Sequence, residues 1–484
     1  MVWSGDAGQR QDRVLATLVT VGLTGILLML WLVLFSRLPW RTRGAVVGSL
    51  VVAGALFTAL FRIEGFSGDV MPIISWRFGG GDALVDASGT ASAPTEVSPT
   101  DFPQFLGQER NAVVRGVALA RDWQTAPPTE LWRRAVGEAW SGFAVVGDAV
   151  LTQEKRGDEE VVARYDLTTG EPVWTTSYPG FFDTMLGGSG PRATPTVGGG
   201  KVYTFGSTGV LSSLDLASGE VLWQHAVADD HQGPLPEWGF AGSPLLVDDL
   251  VVVAPGGPDG HSVVAYRQAD GELVWSAGDD PASYASPMLT TLGGVRQVVS
   301  RNIGSVTGHD PVDGRVLWTA PWPGMQPNVA QPLPMGDDRL LISSGYGIGA
   351  TLFEFVQEAD GTWTVTEVWH SMRMKAKFTN PVLYGGHLYG LDDGVLACVD
   401  PATGERQWKR GRYGHGQLLL VDDLLLIQSE KGELVLVEPN PEEHRELTTF
   451  PALDGKSWNT LALSGKHLLV RNASEAVAYE LPLV

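Results

Sequence analysis

Five side chains able to carry positive charge, Arg192, Lys375, Lys377, Arg412 and His415, fall at the starts of short apolar segments in a chain of formal net charge -21. Brought together they would form a cationic rim inside an acidic protein, and such a rim focuses its field on a carboxylate, a phosphate or an acidic peptide. Trp140, Trp238 and Trp458 hold comparable positions and would add stacking or cation–π faces, with Asn459 beside the last of them. The same residues also admit a structural reading, in which they hydrogen-bond neighbouring strands or line a water-filled channel. No catalytic constellation or metal site is legible. The sequence has no His-Glu-x-x-His, no Walker loop and no Gly-x-Ser-x-Gly elbow, and its nine histidines do not cluster at ligand spacing. Asp248-Asp249, Asp337-Asp338 and Asp422-Asp423 look like carboxylate dyads, yet each separates two apolar runs, where aspartate serves a tight turn. Cys398, the one cysteine, lies among small and apolar residues, which predicts a buried, inert thiol.

The elements that would position such a rim are short strands. Sixty glycines, 30 prolines and 17 tryptophans with only 18% charged residues predict an all-β chain rich in turns. The strong negative charge argues against a nucleic-acid partner, since binding phosphates needs basic surface. An internal repeat sets the architecture. Asp166, Gly170 and Trp174 recur at the same spacing as Asp215, Gly219 and Trp223, and the series continues with Gly271 and Trp275, Gly314 and Trp318, Gly404 and Trp408. A degenerate copy places Asp360-Gly361 before Trp369. Successive tryptophans stand roughly 40 to 50 residues apart, the period of a four-stranded propeller blade. Between them recur apolar hairpins such as LLVDDLVVV and LLVDDLLLI. Seven full units run from 140 to 450, and three strands follow from 457 to 484. Glu130–Val136, carrying Trp132, supplies the missing fourth strand. The expectation is an all-β, eight-bladed β-propeller closed by its N- and C-terminal strands, with Trp132, Trp174, Trp223, Trp275, Trp318, Trp369 and Trp408 docking each blade on the next.

Two uncharged runs precede the repeats, residues 14–36 and 44–61, and predict a transmembrane helical hairpin. Arg37, Arg41 and Arg43 crowd the loop between them, and positive loops stay cytoplasmic. Both termini, and with them the propeller, are then extracytoplasmic, in a bacterial inner membrane. Residues 1–13 read as an N-terminal tail, 62–100 as a juxtamembrane segment and linker, of which 79–100 is small, polar and flexible, and 101–484 as the propeller.

The Asp-x-x-x-Gly-x-x-x-Trp repeats resemble the pyrroloquinoline-quinone-like repeats of bacterial quinoprotein propellers, over residues 101–484. Asp101–Gly107, Gly190–Pro195, Gly411–Gln417 and Lys456–Asn459 look like a membrane-anchored bacterial subgroup of that family. The family holds true dehydrogenases as well as noncatalytic propellers, among them the lipoprotein propeller of the outer-membrane β-barrel assembly machinery. In the dehydrogenases the resemblance implies pyrroloquinoline quinone with calcium, held by a disulfide of adjacent cysteines. A chain with one cysteine cannot make that disulfide, nor does it carry the Cys-x-x-Cys-His of a covalent haem. The resemblance therefore implies a binding or scaffolding module for a protein segment or an anionic ligand. The alternative is a quinone-dependent alcohol or sugar oxidoreductase whose cofactor is held by the cationic rim.

Overall fold

The uncharged runs do form helices. The structure, a computed structural model, describes residues 10–78, 84–324 and 327–484, so residues 1–9 of the expected tail and 79–83 of the expected tether lie outside the described residues. The chain divides into two units, Met1–Asp82 with Thr184–Gly188, and Ala83–Asp183 with Ser189–Val484.

In the first unit α1 spans Arg10–Leu34 and α2 spans Trp40–Leu60, both long and apolar enough to cross a membrane. The turn between them is closed by one of its arginines: Arg43 donates to the carbonyls of Val33 (2.7 Å), Leu38 (2.9 Å) and Ser36, and stacks over Trp40. Of these, the Val33 carbonyl lies in the last turn of α1, where a helix end leaves carbonyls without intrahelical partners. A hairpin follows directly, β1 (Phe61–Phe66) pairing antiparallel with β2 (Pro72–Trp76).

In the second unit, eight sheets each hold four antiparallel strands, in chain order in the first seven. The first opens with Ala144–Val146 and closes with Pro172–Pro179; the second runs from Thr196–Gly198 to Val221–Ala226. The third runs from Leu245–Val247 to Leu273–Ala277 and the fourth from Met288–Leu292 to Val316–Pro321. The fifth, sixth and seventh end with Trp363–Ser371, Arg406–Arg412 and Arg445–Pro451. The eighth has three C-terminal strands, and Thr129–Ala135 pairs with Glu475–Glu480 as its fourth. Val113–Val114 adds a short parallel strand to the inner edge of the seventh. This is a β-propeller. Its ends meet where Arg471 of the eighth sheet, fully buried, donates to Thr152 Oγ1 (2.9 Å) of the first sheet and to the Gly137 carbonyl (2.7 Å).

The repeat has a local physical cause. Asp166 accepts from the amides of Thr168 (3.0 Å) and Thr169 (2.8 Å), closing a turn that ends at Gly170 with φ +70°. A Cβ there would lie 2.5 Å from the Trp132 ring, so only glycine fits. The indole N–H of each tryptophan then reaches the next sheet's turn: Trp132 donates to the Leu167 carbonyl (2.8 Å), Trp174 to Leu216 (3.1 Å), Trp223 to Gln268 (3.2 Å), Trp275 to Pro311 (3.1 Å), Trp369 to Pro401 (2.9 Å) and Trp408 to Asn440 (2.8 Å). Trp318 departs from this. It donates to Gln297 Oε1 of its own sheet and packs on Phe355, with 4.4 Å between ring centroids. The reason lies in the fifth sheet, whose Gly361 faces open space and offers no turn beneath an indole.

The composition of residues 84–100 predicts a flexible tether, whereas in the structure they are held along the first two sheets. Gly89 donates to the Val173 carbonyl (2.8 Å), Thr175 to Ala87 (2.9 Å) and Ala91 to Ala217 (3.2 Å), so the strand edge at Trp174 is extended by a strap. Arg156 fixes its start through Asp86 (2.8 Å), and Ala93 and Val97 pack on the first sheet's apolar residues. Small side chains permit flexibility, but they equally let a backbone lie close against a sheet.

Two other expectations concern turns and the thiol. Asp248 and Asp422 adopt positive φ (53° and 47°) between paired strands, the conformation a two-residue hairpin turn needs. Cys398 is buried in the sixth sheet, and burial pushes its thiol up to about 11.

Candidate functional site

The loops that precede the inner strands meet at one end of the propeller. Trp140 precedes the first sheet and Trp458 the eighth, and their ring centroids stand 5.1 Å apart. Trp458 also packs at 4.9 Å on Phe378, which precedes the sixth sheet, and Phe378 lies 5.5 Å from His415 of the seventh. The sixth and eighth sheets are not neighbours, so their rings can touch only over the centre of the propeller. Two lysines complete the cluster. Lys456 Nζ lies 4.6 Å from the Trp140 centroid and 4.1 Å from that of Trp458. Lys377, buried, places Nζ 4.6 Å from the ring of Tyr346 and 5.5 Å from Phe378. The close packing of Lys377 accounts for Gly345, where a Cβ would fall 2.8 Å from the lysine stem.

Polar partners fix these rings. Trp458 Nε1 donates to Glu430 Oε1 (2.8 Å), and Glu430 Oε2 accepts from the His415 amide (3.3 Å). Gln417 holds the backbone on both sides, donating to the carbonyls of Phe378 (2.9 Å) and Trp458 (2.7 Å). Tyr346 is buried enough that its hydroxyl is pushed well up.

Of the residues singled out in the sequence, Lys377, His415 and Trp458 thus join one cluster with Trp140. Arg192 lies in a second set. Its guanidinium stacks over Phe182 (5.1 Å) and donates to the Gly190 carbonyl (2.8 Å); burial lowers it to about 10 against the opposing charge of Glu160. Glu160 is itself fully buried. It accepts from the Ser207 amide (3.0 Å), the Ser207 hydroxyl and Tyr178 (3.0 Å), and burial raises its carboxyl. Tyr284, close enough to feel the Arg192 charge, accepts from the Trp238 amide (3.3 Å), which places Trp238 beside this second set.

Three residues of the expected rim stand elsewhere. Lys375 is taken up by the buried carboxylate of Asp392, which Lys409 also meets at 2.6 Å, and by Asp393 at 3.5 Å. Arg412 ends the outer strand of the sixth sheet and is exposed. Asn459 is fully buried and ties blades together, donating to the carbonyls of Ala139 (3.2 Å) and Ser141 (2.8 Å). Lys456, Tyr346, Glu430 and Glu160 were not singled out. Lys456 had a signal, since it immediately precedes Ser457-Trp458-Asn459 as Lys377 precedes Phe378.

The donor set does not fit the dehydrogenase cofactor. Among the described residues no three His, Cys, Asp or Glu side chains gather in a way that could hold a metal ion, and the single cysteine is buried within a sheet. A single cysteine cannot supply the paired cysteines that the resemblance implies for dehydrogenases.

Comparison with known proteins places this architecture. The chain is 23% identical over 328 residues to outer membrane protein assembly factor BamB of Shewanella oneidensis, a match spanning 56% of this chain and 78% of that protein. The crystal structure of BamB from Moraxella catarrhalis superposes with a TM-score of 0.50 at 16% identity, covering 73% of this chain and 98% of that one. Quinohemoprotein alcohol dehydrogenase from Comamonas testosteroni superposes with a TM-score of 0.56 at 13% identity, covering 80% and 81%. Likeness at such identity speaks for the fold and leaves activity open. The family model described as outer membrane protein assembly factor BamB matches residues 90–235 and 158–410, most of the propeller, and the chain belongs to that family of pyrroloquinoline-quinone-like repeat propellers.

Proposed function

We propose that this protein is a membrane-anchored binding module that holds a protein segment, through its acidic groups, at the aromatic and lysine cluster over the propeller's centre. The observation that carries the reading is Lys456 set against two indole rings contributed by different sheets. A ligand carboxylate can approach a cation set against ring faces, and the rings then offer flat faces to the rest of the ligand. The name of the family's relatives, an assembly factor, fits a propeller that works by holding another protein. On the same reading α1 and α2 anchor the chain in the bacterial inner membrane, with the propeller outside.

The test is recovery of a partner by the full chain from detergent-solubilised membranes, with wild type beside a Lys456→Gln/Trp458→Ala double variant. A specific protein recovered by wild type and lost from the variant supports the reading. No partner, or one retained by the double variant, overturns it.

A further inference from the structure

We infer that the β1–β2 hairpin lies flat in the membrane interface, with its apolar face against the acyl chains and anionic lipid headgroups around its arginines. The inference rests on the reading of α1 and α2 as membrane-spanning. The register pairs Phe61 with Trp76 and Ile63 with Ile74, which puts these four side chains on one face, and pairs Arg62 with Ser75 on the other. Ile63 is 57% exposed, Ile74 50% and Trp76 49%, so the first unit itself does not cover this face.

Its occupant follows from what it continues. α2 ends at Leu60 and β1 begins at the next residue, and the Arg77 amide donates to the Leu60 carbonyl (2.8 Å), so both ends of the hairpin meet the helix end. A row of rings runs from Phe57 of α2 to Phe61 (5.2 Å), Trp76 (5.2 Å) and Phe78 (6.0 Å), carrying the apolar surface of the helix onto the hairpin. At the other end of the hairpin Asp69 pairs with Arg10 at the start of α1 (2.8 Å). Pinned to the end of one helix and the start of the other, the hairpin crosses the pair where both helices leave the bilayer. Two strands with open edges cannot enter hydrocarbon, where backbone groups need partners, but they suit the interface, as do tryptophan and phenylalanine. At this level Arg10, Arg13, Arg62 and Arg77 outnumber Asp12, Glu64 and Asp69, leaving a net positive charge complementary to anionic headgroups.

The full chain, with Cys398 replaced by alanine and single nitroxide-labelled cysteines at Ile74, Ser75 or Leu27, is reconstituted in vesicles of mixed phosphatidylglycerol and phosphatidylcholine. Collision with oxygen and with a water-soluble nickel chelate is then compared. The expected result is oxygen-favoured collision at Ile74 and Leu27 and chelate-favoured collision at Ser75. Chelate-favoured collision at Ile74 overturns the inference, and so does shielding from both reagents, which would mean a protein surface covers the face. Leu27 separates the two failures: a label there that meets the chelate refutes the membrane-spanning reading, while a deep Leu27 with a wet or shielded Ile74 refutes the hairpin alone. Ile63→Ser with Ile74→Ser, which leaves the helices intact, should abolish the oxygen preference of a label at Trp76.

Discussion

Gly314→Ala and Gly361→Ala form a matched pair that measures what the docking tryptophan contributes. Both glycines close the turn before an outer strand, and both have φ in the left-handed region, +75° and +86°. An alanine at either place carries the same backbone cost of about 1 to 2 kcal/mol. At Gly314 the new Cβ also meets Trp275, 2.5 Å from Cε3 and 2.7 Å from Cδ2, whereas at Gly361 nothing lies within 4 Å. Overpacking of this kind costs about 1 to 3 kcal/mol. A displaced Trp275 would further lose its 3.1 Å bond to the Pro311 carbonyl, about 1 kcal/mol more. Gly314→Ala should therefore destabilise the propeller by about 2 to 4 kcal/mol more than Gly361→Ala. Urea denaturation of the full chain in detergent, followed by tryptophan fluorescence, reads the difference from the midpoints. Equal losses in the two variants would mean that the repeat recurs for its backbone turn alone and that the indole contacts between blades are incidental.

Two other perturbations address the first sheets. Burial raises the Glu160 carboxyl above its ordinary 4.5, so the folded state holds this proton more tightly than the unfolded one. The contribution is fully present below 4.5 and is lost as pH rises through the raised value, so wild type should weaken relative to Glu160→Gln across that window. A stability difference that does not change with pH, in parallel denaturation series of the two proteins, refutes this. In the strap, a Cβ at Gly89 would fall 2.8 Å from the Val173 carbonyl, to which the Gly89 amide also donates. Gly89→Ala should detach the strap and speed protease cleavage between residues 84 and 100 several-fold, read by gel and mass spectrometry; an unchanged cleavage pattern would show that the strap is held elsewhere.

The sequence displays the blades because each repeat is a local device. Asp166, Gly170 and Trp132 answer to one turn and one ring, and every copy repeats the same chemistry. Trp318 shows where that legibility ends. Its own repeat is intact, and what fails is the turn in the following sheet, so the residue's role is decided some forty positions away. The strap was hidden for a different reason, since small polar residues describe a free chain and a closely laid one alike. At the site, sequence order identifies the loops that converge but not which cations an acidic partner has already claimed. Lys375 and Lys377 share a loop, yet Asp392, 17 residues on, pairs with the first, while the second lies against the rings of Tyr346 and Phe378.

That division also shapes what the site can do. The centre is covered by ring contacts worth about 0.5 to 1.5 kcal/mol each and by cation–π contacts of about 0.5 to 2 kcal/mol. A ligand entering there must offset several of these, which a compact ion cannot do with one charge. An extended acidic segment can, because a carboxylate recovers the Lys456 or Lys377 contact while its flanking side chains replace the rings' contacts with one another. On the proposed reading, the aromatic cover would select a protein segment by length and shape as well as charge.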